Sequence, residues 1–446
     1  MKIAVIGSGI SGLAAAWLLS KEHLVDIYEK DDRLGGHANT QQIHMDGTKA
    51  SVDTGFIVFN KRTYPNLTAL FDLLEVETVP TQMSFSVSLQ NGEKEYSGSG
   101  LKGLFAQKSN LFRPKFLQMI SQTMHFYKHA SRHAKKSEFR ETTLGDYLVQ
   151  KNYSATFIDE HLLPMGAAIW SMPPKQLLNF PFRTFISFCN NHGLLQLKDR
   201  PQWRTVAGGS CNYVRKIAER ISGKIFLNTA VKDVQRSLRS VKVSTRTGQE
   251  ASYDHVIFAC HSDQALAILN CQNSASEAET KILGSIRYQQ NIAVLHRDFS
   301  LMPKRKAAWS AWNFTGNHNN NNALSVTYWM NALQQLNITR NVFVTLNPNQ
   351  QPAEGTILRS FQYAHPVFDR AALKAQKHVW QIQGENRTWF CGAYLGYGFH
   401  EDGLQAGLAV AEALGVAQRD WVCQNQNGRI ALPVGWPLRS YQVAAQ

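Results

Sequence analysis

Apolar and polar residues alternate between two periods over the first thirty positions of the chain. Ile3 to Ile6 is an unbroken apolar run of strand length, Leu13 to Leu19 opens a helix, and Val25, Ile27 and Tyr28 mark a second short strand. Between the first strand and the helix stand Gly7, Gly9 and Gly12, in the order G-x-G-x-x-G. This predicts a βαβ unit that holds a dinucleotide: Gly7 makes the tight turn, Gly9 lets a pyrophosphate approach the backbone, and Gly12 lets the helix pack on the strand. Ile10 and Ser11, within this turn, are expected among the cofactor-binding residues, and the helix N-terminus that follows offers free N–H groups and a positive dipole end to the phosphates. Glu29 closes the second strand seventeen residues past Gly12. A carboxylate there accepts from ribose hydroxyls and repels a 2′-phosphate.

Further along, Leu67 to Leu74 reads as a helix and Ser84 to Leu89 as an alternating strand. Leu144 to Leu148, Met165 to Trp170 and Phe180 to Phe188 are rich in aromatic and aliphatic residues, which suits the lining of an apolar pocket and equally suits plain core packing. Gly208 and Gly209 open a helix from Cys211 to Ile221. Short strands follow at Lys224 to Leu227, Val231 to Gln235, Val241 to Thr245 and Tyr253 to Ala259. From Ile286 to Gln383 the pattern is mainly strands with one or two helices, Asn317 to Asn322 being a polar hairpin tip and Ser325 to Met330 an alternating strand. The stretch from Thr388 to Ala411 predicts strand, glycine-rich loop and helix. Gly392, Gly396, Gly398, Gly403 and Gly407 stand in it, where an ordinary junction needs one glycine.

A length of 446 residues predicts two or three domains. The six cysteines are scattered with no C-x-x-C pair, which predicts reduced thiols and neither a disulfide framework nor a metal site. No apolar run reaches the length of a membrane span. The three glycines after Ile6, with no cleavage site beyond, argue against a signal peptide, so a cytoplasmic location is expected. Net charge is +14, and its distribution changes the picture. Between Leu101 and Arg140 stand Lys102, Lys108, Arg113, Lys115, Lys128, Arg132, Lys135, Lys136 and Arg140 against Glu138 alone, a net of +8 interleaved with Leu, Phe and Met. Such a mixture is expected of a segment peripheral to an anionic membrane, on its inner face, and also of a solvated basic helix over an ordinary core. No nucleic-acid module is apparent.

Just past the second strand, Arg33-Leu-Gly35-Gly36 resembles the R-x-G-G segment of the FAD-dependent amine oxidase superfamily, which also holds phytoene desaturases and protoporphyrinogen oxidases. Val52-Asp53-Thr-Gly55-Phe56 is similar to the next segment of that superfamily. The resemblance implies that Lys30, Arg33, Gly35 and Gly36 pass near an FAD diphosphate, with His37 where the family often has arginine, and that Gly55 and Phe56 lie near the flavin. It implies that the backbone at Val231 pairs with adenine, and that Gly392, Gly403 and Leu404 belong to the final FAD motif at the pyrimidine edge. Cys391 falls on the strand before that loop, so non-covalent FAD is expected.

The implied fold is α/β: a Rossmann-like FAD-binding domain of the GR2 type, with a parallel sheet built from 1–75, 203–285 and 385–446. An inserted α+β substrate domain would come from 76–202 and 286–384. The chain looks most like bacterial flavoproteins associated with cyclopropane-fatty-acid-synthase-type methyltransferases. That resemblance implies hydride removal from a lipid-like substrate, an acyl chain, to flavin N5. Tyr394, Tyr397, His400 and Glu401 are the polar groups expected near the ring, loop hydrogen bonding or diphosphate contact being the other reading of His400 and Glu401. Amine oxidation, a non-redox FAD-dependent mutase and an FAD-holding sensor stay open as alternatives. So do the electron acceptor and the docking of the tail from Trp421 to Gln446.

Overall fold

The computed structural model describes residues 1–170, 173–196, 199–316, 325–415 and 418–436. The proposed hairpin tip at Asn317 to Asn322 and the last ten residues lie outside them.

Five short apolar strands pair in parallel, in the order Ile225–Phe226, Leu24–Tyr28, Lys2–Ile6, His255–Phe258 and Thr388–Phe390. From Ile3 to Ile6, Val25 to Tyr28, His255 to Phe258 and Thr388 to Phe390 the side chains are buried on both faces, which is why these stretches do not alternate, while the edge strand Ile225–Phe226 is half-buried. The helix Ile10–Leu19 follows the first strand and is buried along all ten residues. The C-terminal helix, His400–Ala413, crosses it and is equally buried. Small residues permit that crossing. A Cβ at Gly407 would sit 2.2 Å from the Ser11 carbonyl oxygen, and one at Gly403 would sit 2.8 Å from Ser11 Oγ. The two helix starts are thereby held together at the carboxyl end of the sheet.

A mixed seven-stranded sheet forms the second body, in the order Ile357–Val367, Arg287–His296, Phe343–Leu346, Ser325–Trp329, Trp312–Gly316, Phe85–Leu89 and Lys94–Ser97. Helices between 100 and 191 cover it, among them Pro114–His133, Leu144–Gln150, Leu163–Trp170 and Phe182–Asn191. Each body has its own hydrophobic core. The division of the chain differs in two places from the segments expected of it. The hairpin Thr40–Met45 and Thr48–Asp53 buries Ile43, Met45, Ala50 and Val52 in the core of the seven-stranded body. Conversely, Ala372, Ala375, Val379 and Trp380, from the helix Arg370–His378 and the turn after it, pack into the core of the parallel sheet. In both segments the apolar face, rather than position along the chain, selects the body it joins.

Asp53 ties the pieces together. Its carboxylate accepts from Thr40 Oγ1 (2.5 Å), from Ser210 N–H (3.0 Å) and Oγ (2.7 Å), and from Gln334 Nε2 (2.8 Å). The tail up to residue 436 docks on the parallel-sheet body. Trp421 stacks on Trp17 at 5.7 Å, and the buried Arg419 grips Glu412 through two bonds of 2.7 Å.

Candidate functional site

The Gly7-to-Gly12 turn, the 33–37 loop, the 55–56 segment and the two helix starts meet at one place. Gly35 N–H donates to the Ser8 carbonyl (3.0 Å), and a Cβ at Gly36, whose φ is +57°, would lie 3.1 Å from Gly9 Cα. Gly9 itself has nothing within 4 Å of where its Cβ would be. The backbone there borders open space rather than packed protein, which is what a bulky anion lying against it needs. No side chain caps the helix that begins after Gly9. Its first N–H groups are left for a ligand.

Glu29 is buried at the edge of this cradle. Its Oε2 accepts from Ser8 N–H (2.9 Å) and Ser8 Oγ (2.5 Å), and its Oε1 from Asp31 N–H (3.0 Å). Oε1 keeps acceptor capacity for a further hydroxyl donor. Thr229 N–H donates to the Glu29 carbonyl (2.8 Å), bringing the strand Val231–Arg236 alongside, with a bulge between Val231 and Asp233. Lys30 does not face the cradle: it is exposed and paired with Asp31 at 3.3 Å. Arg33 braces the loop, donating to the carbonyls of Leu34 and Ala38 (both 3.3 Å) and Gly36 (2.9 Å). These bonds hold the turn in shape and leave further N–H donors of the guanidinium available.

The next stretch is aromatic and neutral. Phe56 N–H donates to the His37 carbonyl (2.7 Å), and the Phe56 ring stacks on His400 at 3.7 Å. His400 Nε2 is 2.8 Å from Tyr213 Oη. His37 stacks on Tyr363 at 4.9 Å and lies 5.2 Å from His365. Burial pushes His37 down to about 4 and holds His400 well below the usual imidazole range, so both rings are neutral near pH 7. Two buried polar atoms here have no hydrogen-bond partner among the described residues, His37 Nε2 and Tyr394 Oη. Burial also keeps the Tyr394 phenol protonated. Tyr397 Oη sits 3.2 Å from Ser187 Oγ.

Glu401, expected near the ring, does other work. Its Oε1 accepts from Asn66 N–H (3.0 Å), Asn66 Nδ2 (2.7 Å) and Gln405 Nε2 (3.0 Å), and its Oε2 from Leu67 N–H (2.9 Å). The carboxylate caps the helix Pro65–Leu73 and is fully buried, so the geometry makes it an anchor. Gly392 and Leu404 are placed by packing. A Cβ on Gly392 would strike the Tyr394 ring at 2.3 Å, and Leu404 is fully buried. Cys391 is buried, its N–H donating to Phe258 (2.9 Å), and burial pushes its thiol up. Among the described residues, no group of three His, Cys, Asp or Glu side chains could hold a metal ion.

An aromatic wall begins where the C-terminal helix starts. Phe399 lies 5.1 Å from Phe188 and 5.0 Å from His192, while Phe188 lies 4.0 Å from His192, 4.1 Å from Trp170 and 5.7 Å from Tyr397. His192 Nδ1 is 3.0 Å from the Phe188 carbonyl. A carbonyl only accepts, so the proton is on Nδ1, and the buried Nε2 carries a lone pair with no partner among the described residues. Sequence reasoning missed His192, Tyr213 and Ser8. Only Ser8, inside the glycine turn, carried a local signal.

The fold and the cradle define a dinucleotide-binding protein with a second, aromatic-walled body. The chain belongs to the family of flavin containing amine oxidoreductases, which it matches over residues 10–297. FAD is accordingly its cofactor, and the bare Gly9 backbone, the uncapped helix and the unpaired His37 and Tyr394 atoms fit that group. The chain is 26% identical over 256 residues to AofH of Mycobacterium tuberculosis, which bears the name of a flavin-containing monoamine oxidase; that match takes in 55% of this chain and 54% of AofH. It thus spans about half the length of the curated relatives it matches.

Two solved structures share the fold. A fatty acid isomerase from P. acnes superposes with a TM-score of 0.61 at 14% identity, over 94% of this chain and 98% of its own. A structure carrying the name of a protoporphyrinogen oxidase, from Exiguobacterium sp. 255-15, gives 0.65 at 13% identity over 93% and 98%.

Proposed function

We propose that this chain is an FAD-dependent oxidoreductase that dehydrogenates an apolar, lipid-like substrate such as a phospholipid-borne acyl chain, methylated chains included. The likeness to flavoproteins that accompany cyclopropane-fatty-acid-synthase-type methyltransferases belongs to this proposal. The observation that carries it is the wall of Trp170, Phe188, His192 and Phe399, which adjoins the start of the C-terminal helix and is aromatic and uncharged throughout.

When bound, the flavin supplies a hydride acceptor at N5, so that one substrate carbon gives up two electrons with its hydrogen, the neighbouring carbon gives up a proton, and an external acceptor such as dioxygen or a quinone removes the electrons. The protein's part is positioning and exclusion of water. Phe188, Trp170 and Phe399 hold an alkyl chain in a dry slot, which strengthens every polar interaction inside it. His192 Nε2, without a partner among the described residues, is the proposed acceptor of that proton. Tyr397 and Tyr394 are the proposed polar groups that would face the bound flavin, with His400, stacked on Phe56, beside them. The start of the C-terminal helix, whose first turn carries Glu401 and Asp402, would lie beside a bound flavin and help to orient it.

Anaerobic mixing tests this. The yellow protein is combined with phospholipid extract, an amine panel and nucleotide sugars, and the oxidised flavin band is followed. Bleaching by lipid and not by amines is expected. Bleaching by small amines alone would select amine oxidation, and nucleotide-sugar turnover without any acceptor would select a mutase.

A further inference from the structure

The helix Pro114–His133 buries Phe116, Met119, Phe126 and Ala130 and leaves its opposite face to solvent. On that face Leu117, Ser121, Met124, His125, Lys128 and Arg132 are accessible at helical spacing. The turn just before it adds Leu111 and Phe112, the latter 85% exposed. Exposed aromatic and aliphatic side chains of this size, set among cations, are unusual on a surface that meets only water. The charges are also uncompensated. Among the described residues, Lys136 pairs with Glu138 and Arg140 with Glu141, whereas Lys102, Lys108, Lys115, Lys128, Arg132 and Lys135 make no ion pair.

A groove of about 460 Å³ opens on the same helix, lined by Met124, His125, Tyr127, Lys128, His129 and Leu195. Tyr127 Oη lies 3.3 Å from His161 Nε2 and 3.8 Å from Met165 Sδ, on the helix that ends at Trp170. Trp170 touches Phe188, and Phe188 touches Phe399. The helix Leu163–Trp170 thus carries at its start the Met165 that borders Tyr127 and at its end the Trp170 that packs on Phe188.

We infer that this face docks on an anionic lipid bilayer, with Leu111, Phe112, Leu117 and Met124 entering the interface, Lys128 and Arg132 meeting lipid phosphates, and the groove turned toward the acyl chains. Charge complementarity selects this occupant: a neutral bilayer would leave the cations unmatched, and a soluble polyanion would leave the apolar side chains in water. The docking stands independently of the reaction. Only the groove's use as a substrate entry rests on the proposed function.

The test floats the FAD-loaded, full-length protein with vesicles of phosphatidylcholine alone or with added phosphatidylglycerol. Each cation near the surface is worth about fivefold in partitioning, so reversing Lys128→Glu and Arg132→Glu together is expected to lower association roughly 20-fold or more. The variant Phe112→Ser, Leu117→Ser, Met124→Ser keeps every charge and is expected to lose about tenfold or more, because these side chains supply the buried apolar area. All five positions are accessible, so both variants retain the wild-type melting temperature and flavin spectrum. Equal association with both kinds of vesicle, no association with either, or full association of the triple-serine variant would overturn the inference. Wild type that floats yet is not bleached by lipid leaves the docking standing and removes the proposed reaction. Bleaching by dispersed fatty acid with no flotation does the reverse.

Discussion

Replacing Glu401 by glutamine separates an anchor from an acid–base catalyst. In the structure its carboxylate accepts two backbone N–H groups of Asn66 and Leu67 and two side-chain amides, all between 2.7 and 3.0 Å. It also places negative charge at the start of the helix Pro65–Leu73. Bonds to a charged acceptor contribute roughly 1.5–3 kcal/mol each, and a carboxylate at a helix start contributes about 1 kcal/mol more. Glutamine keeps the shape but turns one acceptor into a donor facing donors. These terms share one group and do not add, so a loss of about 3–4 kcal/mol follows for Glu401→Gln, and somewhat more for Glu401→Ala, which strands the Asn66 and Leu67 N–H groups. Thermal unfolding followed by far-UV circular dichroism and by release of flavin fluorescence measures it; a fall of several degrees is expected. The pH profile of the folded fraction should not change. A Glu401→Gln protein that melts with wild type while turnover drops about a hundredfold and one limb of the pH profile disappears would refute the anchoring role.

Gly9→Asp is expected to leave the fold intact, since its Cβ meets nothing within 4 Å, and to yield colourless protein; Gly407→Ala, whose Cβ would lie 2.2 Å from the Ser11 carbonyl, loses both flavin and melting temperature. Absorbance at the flavin band alongside a melt distinguishes the two. Burial pushes His37 and His261 down to about 4 and His365 to about 3. Their unfolded forms bind protons near 6.5, so stability from this cluster is complete above that pH and is lost progressively as pH falls toward 4. Flavin retention over a pH 7.5-to-4 titration should fall in that window and recover less steeply in His365→Phe. His192→Phe fills the same wall without a lone pair, and is expected to lower the rate of anaerobic flavin reduction by roughly a hundredfold with flavin affinity unchanged.

Some of this was legible along the chain and some was not, and the difference is physical. The strand Lys2–Ile6, the glycine turn and the helix Ile10–Leu19 are encoded by neighbouring residues, so periodicity and glycine spacing were enough. Glu401 shows the opposite case: its partners lie 334 and 335 residues away, and an acidic residue beside a glycine-rich loop has the same local pattern whether it anchors or catalyses. Lys30 and Arg33 stand at the correct spacing for a phosphate contact, yet one prefers solvent and Asp31, the other the carbonyls of its own turn. Strand pairing between Phe85–Leu89 and Trp312–Gly316 joins segments whose intervening chain carries no signal of it. The aromatic wall was legible only in part: Met165 to Trp170 and Phe180 to Phe188 read equally as pocket lining and as core, while His192 is set apart only by an Nε2 without a partner among the described residues, a property of the folded chain.

Stoichiometric cofactor binding probes the central claim most directly. Isothermal titration of FAD into the apoprotein, with absorbance read in parallel, should give one site per chain, a resolved oxidised-flavin spectrum and no such binding in Gly9→Asp. An apoprotein that is folded by circular dichroism yet takes up no FAD, or binds it equally well with aspartate at position 9, would contradict the account.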